Sequence, residues 1–197
     1  MLNDIQKYLN KRKLHKQAKP SKRQAISLSD AKWIGVLFDA TSIEHIEATQ
    51  KYVAQLRSVG KHVKLLAYVA DKSKDIELPF PFFSATDVNL LRVPSGKKVE
   101  DFITQTFDIL LVLHPKATIL FEYIATLTDA RLKVGPFSRS KNTFDLMIDV
   151  NSQSALHYFI NQVEFFAGKL QPKKSSANTS KKRPATTVTA SNKLVAA

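Results

Sequence analysis

The most constraining feature is an uninterrupted apolar run, Ile109 to Leu113, within FDILLVLHPKATILFEYIATLTDARLKVG (residues 107–135). A strand that is apolar at every position is covered on both faces, the situation of a parallel sheet with helices above and below it. The same stretch continues with Ile119, Tyr123, Ile124 and Leu127 at helical spacing and closes on a short strand-like run, 132–134. It reads as one strand-helix-strand unit, right-handed like nearly all such crossovers. The chain is therefore expected to be α/β: a single Rossmann-like domain with a mostly parallel sheet flanked by helices.

The flanking segments repeat that grammar. WIGVLF (33–38) is a buried strand, DATS (39–42) supplies capping residues, and a helix over about 43–59 buries Ile46, Tyr52, Val53 and Leu56 before Gly60 stops it. A second strand follows at 62–70. Beyond a charged loop, 71–81, the pattern predicts a short strand at 82–83, a brief helix at 86–91, a turn at 94–98 and a short helix at 99–106. After a basic loop, 138–142, come a strand at 144–150 and a final helix at 154–170 that presents Leu156, Phe159, Ile160, Val163 and Phe166 to the core. From 171 onwards Ser, Thr, Ala, Lys and Pro dominate and periodicity ends, which predicts a disordered basic tail. The expected organisation is a basic N-terminal helix and linker (1–24), an α/β domain (31–170) and the tail (171–197).

Charge is unevenly placed. The net charge is +13, but residues 31–167 hold 15 basic and 15 acidic side chains. Residues 1–30 carry +6 and residues 168–197 carry +7. The N-terminal set is Lys7, Lys11, Arg12, Lys13, Lys16, Lys19, Lys22 and Arg23; the tail contributes Lys173, Lys174, Lys181, Lys182 and Arg183. Two basic arms on a neutral body point to a polyanion, and each phosphate they neutralise releases counterions with little sequence preference. RNA, or a ribonucleoprotein surface such as the ribosome, is the partner expected. Leu2, Ile5 and Leu9 form a short apolar stripe that would alternatively let the basic helix lie on an anionic membrane.

Signs of chemistry are sparse. The absence of cysteine excludes thiol redox chemistry and thiolate metal sites. The five glycines are isolated, so neither GxGxxG nor GxxxxGK[ST] occurs, and no cofactor is assigned. His15, His45, His62, His114 and His157 show no metal-ligand spacing, and no metal is expected. Open α/β sheets bind ligands beyond the carboxyl ends of their strands. There, Asp39, His114 and Asp149 form an acid-base set if their strands are neighbours. The plainer expectation is that these acids cap helices, that no residue is catalytic and that the protein is not an enzyme. No apolar segment reaches the roughly 18 residues of a membrane span, and the first twenty residues lack a secretory core, which predicts a cytoplasmic protein.

The motifs WIGVLFDAT (33–41), FDILLVL (107–113), ARLKVGPF (130–137) and FDLMIDV (144–150), in that order, resemble a family of uncharacterised proteins of the Bacteroidota. The resemblance spans about residues 1–168, leaves out the tail and implies no mechanism. More loosely, FDILLVL, a helix and then ARLKVGPF are similar to the N-terminal half of heptosyltransferase-like glycosyltransferases, whose sugar-nucleotide site lies in the other half. That likeness implies a fold, and a ligand-binding or glycosyltransferase-like use of the strand ends as the alternative function.

Overall fold

Alternating strands and helices assemble into one open sheet in the computed structural model, which describes residues 23–70, 77–90, 92–139, 143–150 and 155–170. The order is β1 (Trp33–Asp39), α1 (Ile43–Ser58), β2 (His62–Val69), β3 (Phe82–Ser84), a 3-10 turn (Ala85–Asp87), α2 (Lys97–Ile103), β4 (Thr106–Leu113), α3 (Ile119–Leu127), β5 (Asp129–Pro136), β6 (Leu146–Ile148) and α4 (Leu156–Lys169). In space the strands run β3-β2-β1-β4-β5-β6, every pair parallel. This is the doubly wound Rossmann order, and the direction of winding reverses between β1 and β4.

The apolar runs are explained by two separate cores. Ile34, Val36 and Phe38 of β1 and Ile109, Leu111 and Leu113 of β4 pack beneath α1 (Tyr52, Val53, Leu56) and α4 (Leu156, Phe159, Ile160, Val163). Leu37 of β1 and Leu110 and Val112 of β4 pack on the opposite face against α2 (Val99, Phe102) and α3 (Phe121, Ile124, Ala125). Each such side chain contributes about 1.5–3 kcal/mol on burial, so both residue parities of β1 and β4 stabilise the fold and neither is free to be polar. Two glycines admit rings: a Cβ on Gly35 would stand 2.9 Å from the Phe107 ring, and one on Gly135 2.5 Å from that of Phe144.

One charge lies inside. Lys133 of β5 is 1% exposed, and its Nζ donates to the carbonyls of Ala125 at 2.6 Å and Thr126 at 3.4 Å, at the C-terminal end of α3. Burial pushes its pKa down to about 8; the charge of Arg23 acts the same way, against Asp145 and Asp129.

The structure corrects several expectations. The brief helix placed at 86–91 is the single 3-10 turn Ala85–Asp87, because the Asp87 carboxylate takes the Ser84 N–H at 2.8 Å and the chain turns extended at Val88, which bridges Pro94. The helix placed at 99–106 starts at Lys97 and ends at Ile103, so Thr106 already belongs to β4. The strand placed at 144–150 shrinks to Leu146–Ile148: Asp145 exchanges hydrogen bonds with Lys133 through its backbone and its carboxylate, both at 2.8 Å, and Phe144 turns onto Gly135. On α4, Phe166 is 44% exposed and Ala167 takes the buried position, since the stripe steps from Val163 by four. The N-terminal helix and the tail lie outside the described residues, apart from Arg23 and Gln24. No described helix is long and apolar enough to cross a membrane.

Candidate functional site

The reversal between β1 and β4 brings two sequence-level candidates together. Asp39 ends β1, His114 directly follows β4, and His114 Nε2 lies 3.7 Å from Asp39 Oδ2, with side chains 16% and 21% exposed for the histidine and aspartate respectively. The other oxygen of Asp39 accepts the Thr41 N–H at 2.8 Å, turning the chain towards α1. Thr41 Oγ1 accepts the Ala70 N–H at 3.2 Å, which ties that turn to the end of β2, and Ser42 Oγ caps α1 by accepting the His45 N–H.

His114 Nδ1 is 2.6 Å from the Lys116 carbonyl oxygen and 3.1 Å from its nitrogen. Nδ1 donates to that carbonyl in one tautomer and accepts the Lys116 N–H in the other; the first turns the Nε2 lone pair towards Asp39. Burial lowers the His114 pKa; the Lys116 carbonyl and the Asp39 carboxylate push it back up, while His45 and the Lys116 charge add to the lowering. Two acceptors facing one another across 3.7 Å make a receptor for a donor hydrogen, such as a hydroxyl or an ammonium.

Aromatic rings flank this pair. Phe121 lies 5.6 Å from the His114 ring, Tyr68 lies 6.4 Å from Phe121, and His45 meets His114 edge-on at 6.3 Å. Tyr68 is the register partner of Asp39, and its pKa is raised by burial and then by the Asp39 carboxylate, with Arg92 opposing. Arg92 holds a left-handed backbone, φ 56°, in a turn fixed by hydrogen bonds from its own N–H to the Asn89 carbonyl and from the Val93 N–H to Asn89 Oδ1. For a non-glycine residue that conformation costs about 1–2 kcal/mol.

Asp149 is not brought in. It follows β6, is exposed, and has β5 between its strand and β4, two strand spacings or about 10 Å from His114. The sequence-level trio is thus a pair, joined by His45, Tyr68, Phe121 and Arg92. A signal for His45 existed: it lies in the first turn of the helix after Asp39, and strand-helix junctions place that turn over the strand end. Tyr68 becomes a neighbour of Asp39 only through the register. No group of three or more His, Cys, Asp or Glu among the described residues is placed to hold a metal ion.

The opposite, amino-terminal edge is built differently. Trp33 and His62 open β1 and β2 as register partners, and their rings stack at 4.6 Å and 24°. Asp108 accepts the N–H groups of Lys32 and Trp33 at 2.9 and 3.0 Å and pairs with Arg131 at 3.2 Å. Burial alone would raise the Asp108 carboxyl, but these donors hold it below the usual range. Arg23 pairs with Asp145 at 2.9 Å, the Gln24 N–H reaches the Arg131 carbonyl and the Leu28 N–H reaches that of Ala167. Both ends of the described chain therefore attach at this edge. Of the predicted phosphate-binding residues only Arg23 is described; Lys7, Lys11, Arg12, Lys13, Lys16, Lys19, Lys22, Lys173, Lys174, Lys181, Lys182 and Arg183 lie outside the described residues.

Fold and site together define a Rossmann-like α/β protein with a polar pair flanked by aromatic rings at its topological switch point. More particularly, residues 4–166 match a family of unknown function (DUF6913), and the chain belongs to that family. The match takes in the basic N-terminal segment and stops within α4, before residues 171–197. No curated protein matches the chain.

Proposed function

We propose that the protein is a non-enzymatic RNA-binding protein of the bacterial cytoplasm, holding the phosphate backbone of an RNA or ribonucleoprotein, the ribosome included, with its basic ends. The observation that carries this is the segregation of charge: +6 in residues 1–30, +7 in residues 168–197, and none net between them. The fold adds support, since the described chain begins and ends at one edge of the sheet, through Gln24 on Arg131 and Leu28 on Ala167. For single strands log K falls by about 0.7 per phosphate contact for each tenfold rise in salt. Filter binding of the full chain to RNA from low to moderate salt tests the proposal: a steep loss is expected, and affinity indifferent to salt would sink it. Any sedimentation with anionic vesicles is expected to be indifferent to Leu2, Ile5 and Leu9; sedimentation that depends on these three residues would favour membrane attachment instead.

The 3.7 Å approach of His114 to Asp39 favours a second function at the carboxyl edge, a small-ligand site of the ligand-binding or glycosyltransferase-like kind. A ligand hydroxyl would donate to Asp39 Oδ2 or His114 Nε2, with a ring of the ligand against Tyr68 and Phe121. A sugar nucleotide carries both groups. A thermal-shift panel of nucleotides and sugar nucleotides tests this, and a shift that survives Asp39→Ala would argue against it.

A further inference from the structure

We infer, on the basis of the RNA-binding proposal above, that the amino-terminal edge of the sheet is a stacking platform for the bases of single-stranded RNA, with Trp33 as the contacting ring. Trp33 remains 54% exposed although it stacks on His62, itself exposed, and it belongs to neither core. Its backbone is fixed by donation of the Trp33 and Lys32 N–H groups to Asp108, so the indole starts from a set position and loses little freedom on binding. Lysines flank the stacked pair in sequence. Lys32 precedes Trp33, Lys61 donates to the Ser29 carbonyl and Lys64 to the Asp101 carbonyl at 2.8 Å, so these two ammonium groups meet backbone rather than carboxylates and keep their charge for a ligand.

The described chain begins and ends at this same edge, through Gln24 on Arg131 and Leu28 on Ala167, and the excess charge of the sequence lies before and after it. A polyanion with exposed ring faces answers both features, and that is a nucleic acid single strand. In a duplex the base faces are stacked on one another and unavailable, whereas single strands splay bases onto aromatic side chains. Stacking tolerates any base, so the platform confers preference for strand state and little for sequence.

Trp33 is the only tryptophan, so its fluorescence reads the contact directly. The full chain is titrated at low salt with a labelled oligouridylate and, separately, with a duplex RNA of the same length, following label anisotropy and Trp33 emission together. Single-stranded binding is expected to quench Trp33 in step with anisotropy, and duplex binding is expected to leave the emission unchanged. Trp33→Ala should weaken single-strand binding about 5- to 100-fold, Trp33→Phe should restore most of it, and neither should alter duplex binding. His62→Ala, on the far ring of the stack, should give a smaller loss. Coincident unfolding curves for wild type and variants keep a folding defect from imitating the effect. Single-strand binding without quenching, and unchanged in Trp33→Ala, would overturn the platform while leaving the basic ends as the RNA contact. Quenching by duplex equal to that by single strand would overturn the strand preference. Failure of both RNAs to bind at low salt would overturn both proposals.

Discussion

The carboxyl and amino edges of this sheet are the two ends of the same strands, yet they hold their polar groups in opposite ways. At the carboxyl edge Asp39 and His114 are mostly enclosed between Phe121, Tyr68 and the first turn of α1, and their free acceptors face each other. At the amino edge Trp33, His62 and Lys32 stand in water, and charge accumulates in the chain ends attached there. Enclosed acceptors discriminate by hydrogen-bond geometry and are little screened, whereas exposed charge attracts broadly and is screened within about 10 Å at 0.1 M salt. The proposed selective site and the proposed unselective one thus lie nearly the length of a strand apart.

The largest effect that tests this separation is electrostatic. Replacing Lys11, Arg12, Lys13, Lys16, Lys173, Lys174, Lys181 and Lys182 by glutamine is expected to lower RNA affinity by about a thousandfold at low salt. Any thermal shift produced by a carboxyl-edge ligand should persist in that variant. A loss below tenfold, measured by fluorescence anisotropy, would mean that the basic ends are not the RNA contact.

Next comes the lysine that holds the C-terminal end of α3, a helix whose other end walls the crevice. Lys133 keeps its proton to about pH 8 in the fold and to 10.5 as an ordinary lysine. Between those values the unfolded chain binds more protons, so stability rises with pH across the window, by up to about 3 kcal/mol, and is lost again on descending through pH 8. Urea unfolding from pH 8 to 10.5 should show that rise in the wild type and its absence in Lys133→Met.

Gly135→Ala drives a Cβ into the Phe144 ring and should cost about 1–3 kcal/mol in thermal or denaturant unfolding, with RNA affinity unchanged. An equal fall in RNA affinity would show that the two edges are not independent. The smallest effect is confined to the crevice: because the Asp39 carboxylate raises the pKa values of both His114 and Tyr68, Asp39→Asn should lower both in an NMR titration. Since burial depresses the His114 pKa, its contribution to stability is present above the ordinary histidine value and lost as pH falls through the folded one.

The fold was largely legible because β1 and β4 bury both faces, and a strand that feeds two cores cannot conceal itself behind alternation. Elements with one wet face were harder. The three-residue β6 looked longer because Phe144 is as apolar as a strand residue while serving as the cover of Gly135, and α4 appeared to bury Phe166 because an aromatic outranks Ala167 in any hydrophobic pattern. The site was half legible. Asp39 and His114 announce themselves as polar ends of apolar runs, but strand order alone separates them from Asp149, and strand order is set by packing between distant segments. Tyr68 and Arg92 enter through register and through a single left-handed turn, neither of which leaves a local trace in the sequence.

The outermost strands, β3 and β6, are three residues long apiece, and the first N–H beyond Phe83 is already bonded to the Asp87 carboxylate. An open parallel sheet normally offers two rows of unpaired backbone groups, the usual seed for fibrils when copies are crowded together. Here each margin presents too short a template to zip onto a neighbour. Crowded copies would therefore stay separately folded, and their crowding would reverse on dilution.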